Sequence, residues 1–483
     1  DDGSIPCRLH WRTIQAQAPL QAISETFARR RSPSILGANP AVIDSSGLSY
    51  WAAEPREIFE FPAEQTNPFP QLQGVLGRYR LAVGCSDPHR MGLPSSMFVG
   101  GWIGYFSYEL GRHIERLPKR AVDDLHLPLI RLCFYDRFLT YDHRSGVFWA
   151  VALEMPDDTE TPADKLTSVE RRLYRSQKVR LRKLSRTPIG DADLAGIRRN
   201  MPRRQYLEAV QRIKNHIRDG DVYQVNFSHR FELPFEGHPA ELFHWQNHFN
   251  PSGYAAYVDA GRFQIVSASP EMFVTVRDGL IQTKPIKGTR PRLDSSHPEA
   301  SRINAERFHD LLVSEKEQAE LNMIIDLERN DVARICKPGT RRVIQPRTIE
   351  AYPTVYHGVA TIGGELRDEI GLTEILKAMF PGGSITGAPK IRAMEIIDDL
   401  EPTARGVYTG AIGFVGLDGT VCLNIAIRTI IIAGGSAFAQ SGGGIVADSD
   451  PQAEWEETIV KTRALVAGIR AVGTEYAQQN LSE

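Results

Sequence analysis

The chain has 483 residues, of which 42% are hydrophobic and 24% are charged, and its formal net charge at pH 7 is -2. Such a length exceeds the usual single hydrophobic core, so we expect two domains or one large elaborated domain. The near-neutral charge gives no general attraction to nucleic acid or anionic lipid, and no apolar run approaches the roughly 20 residues that cross a bilayer. The composition predicts a soluble globular protein with neither a nucleic-acid nor a membrane partner.

The cysteines and the first residues indicate the compartment. Five cysteines are widely scattered and have no CxxC spacing, which favours reduced thiols and argues against a cysteine-built zinc site. The stretch "DDGSIPCRLHWRTIQ" lacks the basic-then-apolar order of a secretory signal. We therefore expect a cytoplasmic protein.

Three regions are expected along the chain. Residues 1–153 combine short β-like runs with Gly and Pro clusters and form an amino-terminal region. Residues 154–200 look like a connecting segment. Its basic part, 169–186, could be an RNA-binding arm, but the interleaved Leu, Tyr and Val favour a solvated helix or strand. Residues 201–483 carry the sharper signals.

Periodicity defines several elements after residue 201. Tyr206, Val210 and Ile213 recur at helical spacing. The stretch "EMFVTVRDGLIQTKPI" predicts a hairpin with Asp278-Gly279 at its turn, and "EKEQAELNMIIDLERNDVARI" and "PQAEWEETIVKTRALVAGIRAV" predict helices. Strands occur in hairpins and clusters rather than in regular alternation with helices, so we expect an α+β fold of antiparallel sheets with helices on the outside.

Two lysines follow the hairpin, in "TKPIKGTRPR". Lys284 and Lys287 are three residues apart, so strand alternation would direct them to opposite faces and one of them inward. Burial or a nearby cation lowers the pKa of a lysine and frees its lone pair to attack carbon. The alternative for Lys287 is a salt-bridged residue at a strand end.

Acidic residues recur on one face of each of the two predicted helices. Glu317 and Glu320 are three residues apart on the first. Glu454, Glu457 and Lys461 share a face of the second. If the two faces meet, four carboxylates converge, and a hard cation such as Mg²⁺ would relieve their repulsion. The alternative is that Glu457 and Lys461 form an ordinary surface pair worth about 0.3–0.5 kcal/mol.

Two glycine-rich segments could bind an anion. The segment "FPGGSITGAPKIRAMEII" imitates a P-loop but has Ala388-Pro389 where Lys-Ser/Thr must stand, and "QSGGGIVADS" imitates a dinucleotide turn but leaves no second strand for a βαβ unit. What remains is a set of exposed backbone N–H groups beside a helix start, suited to a carboxylate. Ordinary tight turns are the alternative.

Single polar residues interrupt strand-like runs at Gln224, Glu271, His357, Tyr408 and Arg428. An arginine among Ile and Ala should need an anion to offset its desolvation. Either a bound anion or a buried ion pair explains Arg428. For His357, a hydrogen-bonded core histidine is favoured over a functional one.

Five long motifs follow one another between about residues 204 and 467: "SASPEMF", "PIKGTRPR", "AELNMIIDLERND", "FPGGSITGAPKIRAMEIIDDLEP" and "GGGIVADSDPQAEWEET". Together they resemble the chorismate-utilising enzymes, most specifically their aminodeoxychorismate synthase branch. The resemblance implies the fold of anthranilate synthase component I, in which large antiparallel β-sheets pack as a sandwich with helices on the outside. It makes 201–483 the chorismate-binding catalytic domain.

The resemblance also implies a metal site and a general acid. Glu320 and Glu457 would ligate Mg²⁺, with Glu317 and Glu454 close by, some of them through water. The metal would hold the ring carboxylate of chorismate. Glu271 would be the general acid that protonates the departing C4 hydroxyl, a role for a carboxyl group kept neutral by its surroundings.

Further residues would contact the substrate by the same resemblance. His357 and Thr386 would line its pocket. The carboxylate groups of chorismate would contact Tyr408, Arg428, Gly442, Gly443, Gly444 and Lys461.

Two positions separate the branches of the family. Relatives that add water carry a lysine where this chain has Gln224, which cannot act as a base. In anthranilate synthases the position of Lys287 is typically alanine, and ammonia adds at C2. The resemblance therefore implies that Lys287 attacks C2 of chorismate while the C4 hydroxyl leaves, and that ammonia then enters at C4 and expels the lysine. The product would be 4-amino-4-deoxychorismate, on the route to 4-aminobenzoate and folate; anthranilate synthesis is the alternative.

The source of ammonia must lie elsewhere, because no cysteine stands in a nucleophile-elbow setting such as "GxCxG". The resemblance implies a separate glutamine amidotransferase subunit of the PabA type, and a distinct lyase for the later step. The segment "LQAISETFARRRSPSILG" departs from the "LLES" motif of tryptophan-regulated relatives and leaves tryptophan binding open.

Overall fold

The computed structural model describes residues 3–480 except 40, 43–45, 86–90, 95, 186–188, 191, 192 and 195, and gives only the backbone of 474–480. The α-helices of this part of the chain are α1 (Leu20–Ala28), α2 (Pro68–Leu76), α3 (Pro162–Ser176), α4 (Arg203–Arg218), α5 (Pro239–Phe249), α6 (Ala300–Val313), α7 (Glu315–Ala333), α8 (Leu372–Met379), α9 (Lys390–Leu400) and α10 (Pro451–Asn480). None of these described helices is both long and apolar enough for a membrane span.

The first sheet is formed by strands from both ends of the chain. In spatial order its strands are β10 (Arg198–Arg199), β11 (Gln224–Pro234), β23 (Ser436–Ile445), β22 (Thr429–Ala433), β13 (Phe263–Ser269), β12 (Tyr254–Asp259), β2 (Ser34–Leu36), β3 (Leu48–Ala52), β8 (Arg137–Asp142), β9 (Val147–Glu154), β1 (Ile5–Ile14) and β5 (Tyr79–Leu81), with β19 (Gly387–Ala388) beside β11. The pairing is antiparallel except between β1 and β5.

The second sheet is antiparallel in every described pairing. In spatial order its strands are β16 (Ile286–Pro291), β18 (Val355–Glu365), β15 (Leu280–Lys284), β14 (Met272–Arg277), β21 (Val421–Ile425), β20 (Ala411–Gly416), β6 (Gly101–Phe106), β7 (Ile130–Tyr135) and β4 (Glu57–Phe61), with β17 (Arg342–Ala351) beside β18. Both sheets thus draw strands from either side of residue 200, while the predicted division at residues 153 and 200 stays a prediction.

Strand β3 shows why the sheets pack in layers. Successive side chains point to opposite faces of a strand. Tyr50 belongs to the core between the two sheets, where it meets Phe414 of β20 at a ring-centroid distance of 5.5 Å. Trp51, its neighbour, is fully buried in a second core under the outer helices. The two sheets therefore pack face to face with helices on the outside, and the predicted α+β sandwich is confirmed.

The periodic elements were predicted correctly. Tyr206, Val210 and Ile213 are buried on α4. Strands β14 and β15 pair from Arg277 and Leu280 outward, and the two turn residues Asp278 and Gly279 have φ of 49° and 71°, the left-handed backbone that such a hairpin turn needs. Helix α3 covers the start of the basic segment, one of the two structures expected there.

Candidate active site

The candidate site lies where the pairing of strand β22 with β23 ends. Strand β22 pairs only with Ser436–Ala439, whereas β11 pairs along β23 as far as Ile445. Alternate amides of a strand in an antiparallel pair point to opposite edges. Some amides of β23 beyond Ala439 therefore point away from β11, toward an edge that β22 leaves open.

The glycines of this edge correct one expectation. Gly442, Gly443 and Gly444 do not form a tight turn: they pair within β23, and Gly443 lies beside Glu454 in the first turn of α10, which begins at Pro451. A run of glycines shows no alternation of apolar and polar side chains, so its sequence resembles a turn. Glycine lets the carboxylates of α10 approach the strand closely, because a Cβ on Gly443 would lie 3.1 Å from Oε2 of Glu454 and 3.6 Å from Oε1 of Glu457.

The structure brings the acidic faces of α7 and α10 together. Burial raises the pKa of Glu320; Lys287 opposes that rise, and the carboxylates of Glu317 and Glu457 add to it. Burial also raises the pKa of Glu454, whose Oε1 accepts a hydrogen bond from Ser449 Oγ at 2.6 Å. Carboxylates from both helices thus interact across one space.

The donor set of this space suits a hard cation. Among the described residues, no three His, Cys, Asp or Glu side chains are close enough together to form a metal cluster. Glu317 accepts from the Arg290 guanidinium at 3.2 Å, and Lys316 lies 4.0 Å from Glu320. Carboxylate oxygens match the oxygen preference of Mg²⁺. Metal ligation by the four carboxylates stays a prediction.

The pair of Glu457 and Lys461 is present. Lys461 Nζ lies 2.6 Å from Oε1 of Glu457 and donates to the Gly442 carbonyl at 2.9 Å. Partial burial would raise the pKa of Glu457, but the Lys461 ammonium outweighs it and the pKa lies below its usual range. The ion pair between Glu457 and Lys461 that the alternative interpretation expects therefore exists, and it lies beside Gly442 of β23.

Lys284 and Lys287 occupy different surroundings, as alternation predicts. Lys284 Nζ forms an ion pair with Glu350 at 2.7 Å. Lys287 Nζ donates to the Ser384 carbonyl at 3.4 Å, and no carboxylate of the described residues lies within ion-pair distance of it. Burial lowers the pKa of Lys287, although the charges of Glu320 and Glu271 oppose that change. Of the two lysines, Lys287 has the environment of a nucleophile.

Glu271 is a buried carboxyl group between strands β13 and β14. Its side chain is nearly inaccessible, and Oε1 accepts from the Ile286 amide at 3.3 Å. Burial raises its pKa, while the Ser384 side chain and Lys287 oppose the rise. An environment that favours the protonated form suits a proton donor.

Arg428 lies near His357, and its charge lowers the pKa of that histidine. No carboxylate in the described ranges pairs with Arg428, whose φ is 50° and whose pKa is lowered by burial. No described ion pair accounts for this arginine, and anion binding by Arg428 stays a prediction. His357 Nδ1 is 2.9 Å from Thr289 Oγ1, and its buried Nε2 has no hydrogen-bond partner among the described residues. Burial, with Arg428 adding to it, lowers the pKa of His357 to about 3, so the ring is neutral.

Three further residues of the predicted site, Tyr408, Thr386 and Gln224, are buried. Tyr408 is buried, with its ring centroid 5.9 Å from the Arg405 guanidinium carbon. The Thr386 hydroxyl donates to the Gly382 carbonyl at 3.0 Å. Gln224 is fully buried, and neither atom of its amide has a hydrogen-bond partner among the described residues. Polar atoms left unsatisfied in this way favour a polar ligand.

Sequence reasoning missed two residues at this site. Ser384 accepts from Lys287 through its main-chain carbonyl, for which no side-chain pattern exists. Glu328 is buried and accepts from the Gly383 amide at 3.0 Å. Its position three helical turns after Glu317 was the available signal, because eleven residues bring a side chain back to about the same helix face.

Comparison with known proteins shows the family of the chain. Residues 43–467 match the family described as chorismate binding enzyme. The aminodeoxychorismate synthase component 1 of Bacillus subtilis (strain 168) is 39% identical over 369 residues, which cover 76% of each chain. An anthranilate synthase component 1 of Haloarcula marismortui is 37% identical over 440 residues, which cover 88% of this chain and 85% of that one.

The fold has the same relatives. The crystal structure of anthranilate synthase component I from Streptococcus pneumoniae TIGR4 matches with a TM-score of 0.72 and 29% identity, covering 87% of this chain and 92% of that one. This likeness and the family match over most of the sequence confirm the resemblance inferred from the five motifs. The chain belongs to the chorismate binding enzyme family.

Proposed function

We propose that this enzyme converts chorismate and ammonia to 4-amino-4-deoxychorismate and water. The observation that carries the proposal is the Lys287 amine, which donates to the Ser384 carbonyl and whose pKa burial lowers. A relative named aminodeoxychorismate synthase component 1 is 39% identical. The absence of a lysine at Gln224 supports ammonia rather than water as the incoming nucleophile.

Substrate binding follows from the charges around the open strand edge. Arg428, Tyr408 and Lys461 bind the carboxylates of chorismate together with amides of Gly442–Gly444. The neutral His357 and Thr386 line the pocket. The carboxylates that would hold Mg²⁺ are Glu320, Glu457, Glu317 and Glu454. When bound, the metal supplies positive charge for the ring carboxylate.

The reaction consists of two displacements. The neutral amine of Lys287 forms a bond to C2, the two ring double bonds shift, and the C4–O bond breaks as Glu271 donates a proton to the departing hydroxyl. Ammonia then forms a bond to C4, the double bonds shift back, and the bond between C2 and Lys287 breaks, which releases the lysine as a neutral amine. The ammonium group formed at C4 gives a proton back to the Glu271 carboxylate and becomes the amino group of the product. Water is released, ammonia replaces the hydroxyl, and no oxidant or reductant is required.

The alternative is anthranilate synthesis, in which ammonia adds at C2. It is favoured by the identity of 37% over 440 residues to an enzyme of that name. The lysine argues against it, because direct addition at C2 needs no protein nucleophile.

Incubation of the purified chain with chorismate, Mg²⁺ and ammonium tests the proposal. We expect no fluorescent anthranilate, and we expect 4-aminobenzoate only after an aminodeoxychorismate lyase is added. Direct formation of anthranilate would overturn the proposal. With glutamine in place of ammonium, product should form only when a PabA-type glutamine amidotransferase is also present.

The compartment is proposed on the thiols. Four of the cysteines, Cys7, Cys85, Cys133 and Cys336, form no disulfide. Free thiols are typical of the reducing cytoplasm.

A further inference from the structure

The segment Gly382–Ser384 contacts both proposed reacting residues. The Ser384 carbonyl accepts from Lys287 Nζ at 3.4 Å. The buried Ser384 hydroxyl has no hydrogen-bond partner among the described residues, but it is near enough to the Glu271 carboxyl group to oppose the rise of its pKa. The position of this short segment therefore fixes the direction of the amine relative to the acid.

The buried carboxylate of Glu328 on α7 binds the segment Gly382–Ser384 through a backbone amide. Glu328 is 2% exposed, and its Oε1 accepts from the Gly383 amide at 3.0 Å. Its Oε2 accepts from Thr283 Oγ1 at 3.5 Å. Thr283 lies on β15, which leads through Pro285 to Lys287, so one side chain joins the segment to the strand before the lysine.

The contact between helix and segment is tight. A Cβ on Gly383 would lie 2.5 Å from Cδ2 of Leu327 and 3.0 Å from Oε1 of Glu328. The Gly383 amide is buried, and a buried amide without an acceptor is costly. Removal of the Glu328 acceptor is therefore expected to displace the segment rather than leave it in place.

We propose that Glu328 is a positioning residue that holds Gly383–Ser384 against Lys287 and so directs the amine at the substrate. This inference rests on the proposed function. The competing role is a structural one, since Glu328 is also close to Asp331, which pairs with Lys390 at 2.5 Å. Burial, with the charge of Asp331 adding to it, raises the pKa of Glu328 to about 7. Glutamine, which keeps the acceptor oxygen without charge, is thus a close replacement.

Two readouts on the full-length chain test the role. The first is kcat and KM for chorismate with ammonium and Mg²⁺. The second is competitive acetylation of Lys287 by acetic anhydride as a function of pH, followed by peptide mass spectrometry, which needs no turnover. The variants are Glu328→Leu and Glu328→Gln, with Asp326→Asn as a control because Asp326 is an exposed carboxylate on the same helix.

We expect Glu328→Leu to lower kcat by about tenfold or more with KM changed by less than about threefold, because displacement of a reacting group acts on the chemical step. The pH midpoint of Lys287 acetylation should rise as water reaches the amine. Glu328→Gln and Asp326→Asn should behave as the wild type in both readouts.

The proposal is overturned by wild-type kcat and acetylation in Glu328→Leu, or by an equal loss in Glu328→Gln. If Glu328→Leu does not fold, Gly383→Ala serves as the second variant, because its added Cβ displaces the segment and leaves the carboxylate intact. Unchanged Lys287 acetylation in Gly383→Ala would also overturn the proposal. Failure of the proposed function is distinguished separately, by the product that the wild type forms.

Discussion

The Lys287 amine is held between opposing influences. Burial lowers its pKa, and the carboxylates of Glu320 and Glu271 raise it. A cation at the carboxylates would offset part of their attraction for an ammonium group and favour the neutral amine. The protonation state of the Lys287 amine therefore depends on the carboxylates on the acidic faces of α7 and α10.

Replacement of this lysine tests the route directly. Lys287→Ala should lower the rate of amination at C4 by at least about 10³-fold, because the covalent path is lost. The measurement is 4-aminobenzoate formation with ammonium and added lyase. The half-saturating Mg²⁺ concentration for chorismate binding should stay within about twofold of the wild-type value, because Lys287 carries no metal-binding oxygen.

Lys284→Ala is the matched control. Lys284 lies three residues earlier and pairs with Glu350 instead of facing Glu271. It should keep wild-type turnover. Unchanged turnover in Lys287→Ala would remove this lysine from the mechanism.

The metal assignment is tested on α10. Glu457→Gln should raise the half-saturating Mg²⁺ concentration by about 10-fold or more, because a carboxylate ligand is lost. The neighbouring Glu456→Gln should leave it unchanged, since Glu456 is exposed and accepts only from Gln452 at 2.6 Å in the described part of the chain. A Mg²⁺ titration of turnover measures both, and equal values for the two variants would discredit the metal site.

At the scale of elements, periodicity carried most of the prediction. The helices α4, α7 and α10 and the hairpin turn at Asp278-Gly279 follow from repeats of apolar residues and from turn chemistry. The strand position of Gly442–Gly444 could not be predicted in this way, because glycines show no alternation of side chains. Their Cβ positions are opposed by residues of β11 at Gly442 and Gly444 and by Glu454 of α10 at Gly443. The acceptor role of the Ser384 carbonyl was equally hidden, since any residue has a carbonyl.

Helix α3 is attached to the first sheet by a buried lysine. Lys165 is 1% exposed; its Nζ lies 2.7 Å from Oδ2 of Asp136 and 2.6 Å from Oδ2 of Asp158. Lys165→Ala would leave both carboxylates without this cation. Arg137 and Arg56 still contact these carboxylates. We therefore expect the free energy of unfolding to fall by about 3 kcal/mol, the lower end of the usual range for a broken buried ion pair.

Urea unfolding followed by circular dichroism measures this loss. Lys178→Ala is the matched control, because Lys178 is an exposed lysine just after the same helix. It should change stability by less than about 0.5 kcal/mol. If the urea midpoint of Lys165→Ala equals that of Lys178→Ala, Lys165 does not stabilise the attachment of α3 to the first sheet.

At the scale of the whole molecule, the proposed catalytic region (201–483) and the amino-terminal region share both sheets. Strand β6 pairs with β20 from Phe106 and Ala411 to Gly101 and Gly416, and β2 pairs with β12. The carboxylate of Glu109 also accepts from the amides of Arg405 and Gly406, just before Tyr408. The sequence suggested regions along the chain but could not reveal these pairings, because strand order is set by contacts far apart in sequence.

The fragment 201–483 is therefore expected not to fold on its own. Without residues 1–200, the edges of β12 and β20 would be exposed. Phe414 would also lose its contacts with Tyr50 and Phe98, whose ring centroids lie 5.5 Å and 5.0 Å away. Unpaired edges and an uncovered sheet face favour aggregation over a native core. The fragment should show no cooperative thermal transition by circular dichroism and no turnover with ammonium, whereas the full chain shows both. A cooperative transition in the fragment would show that the catalytic region has a sufficient core without the strands that precede it.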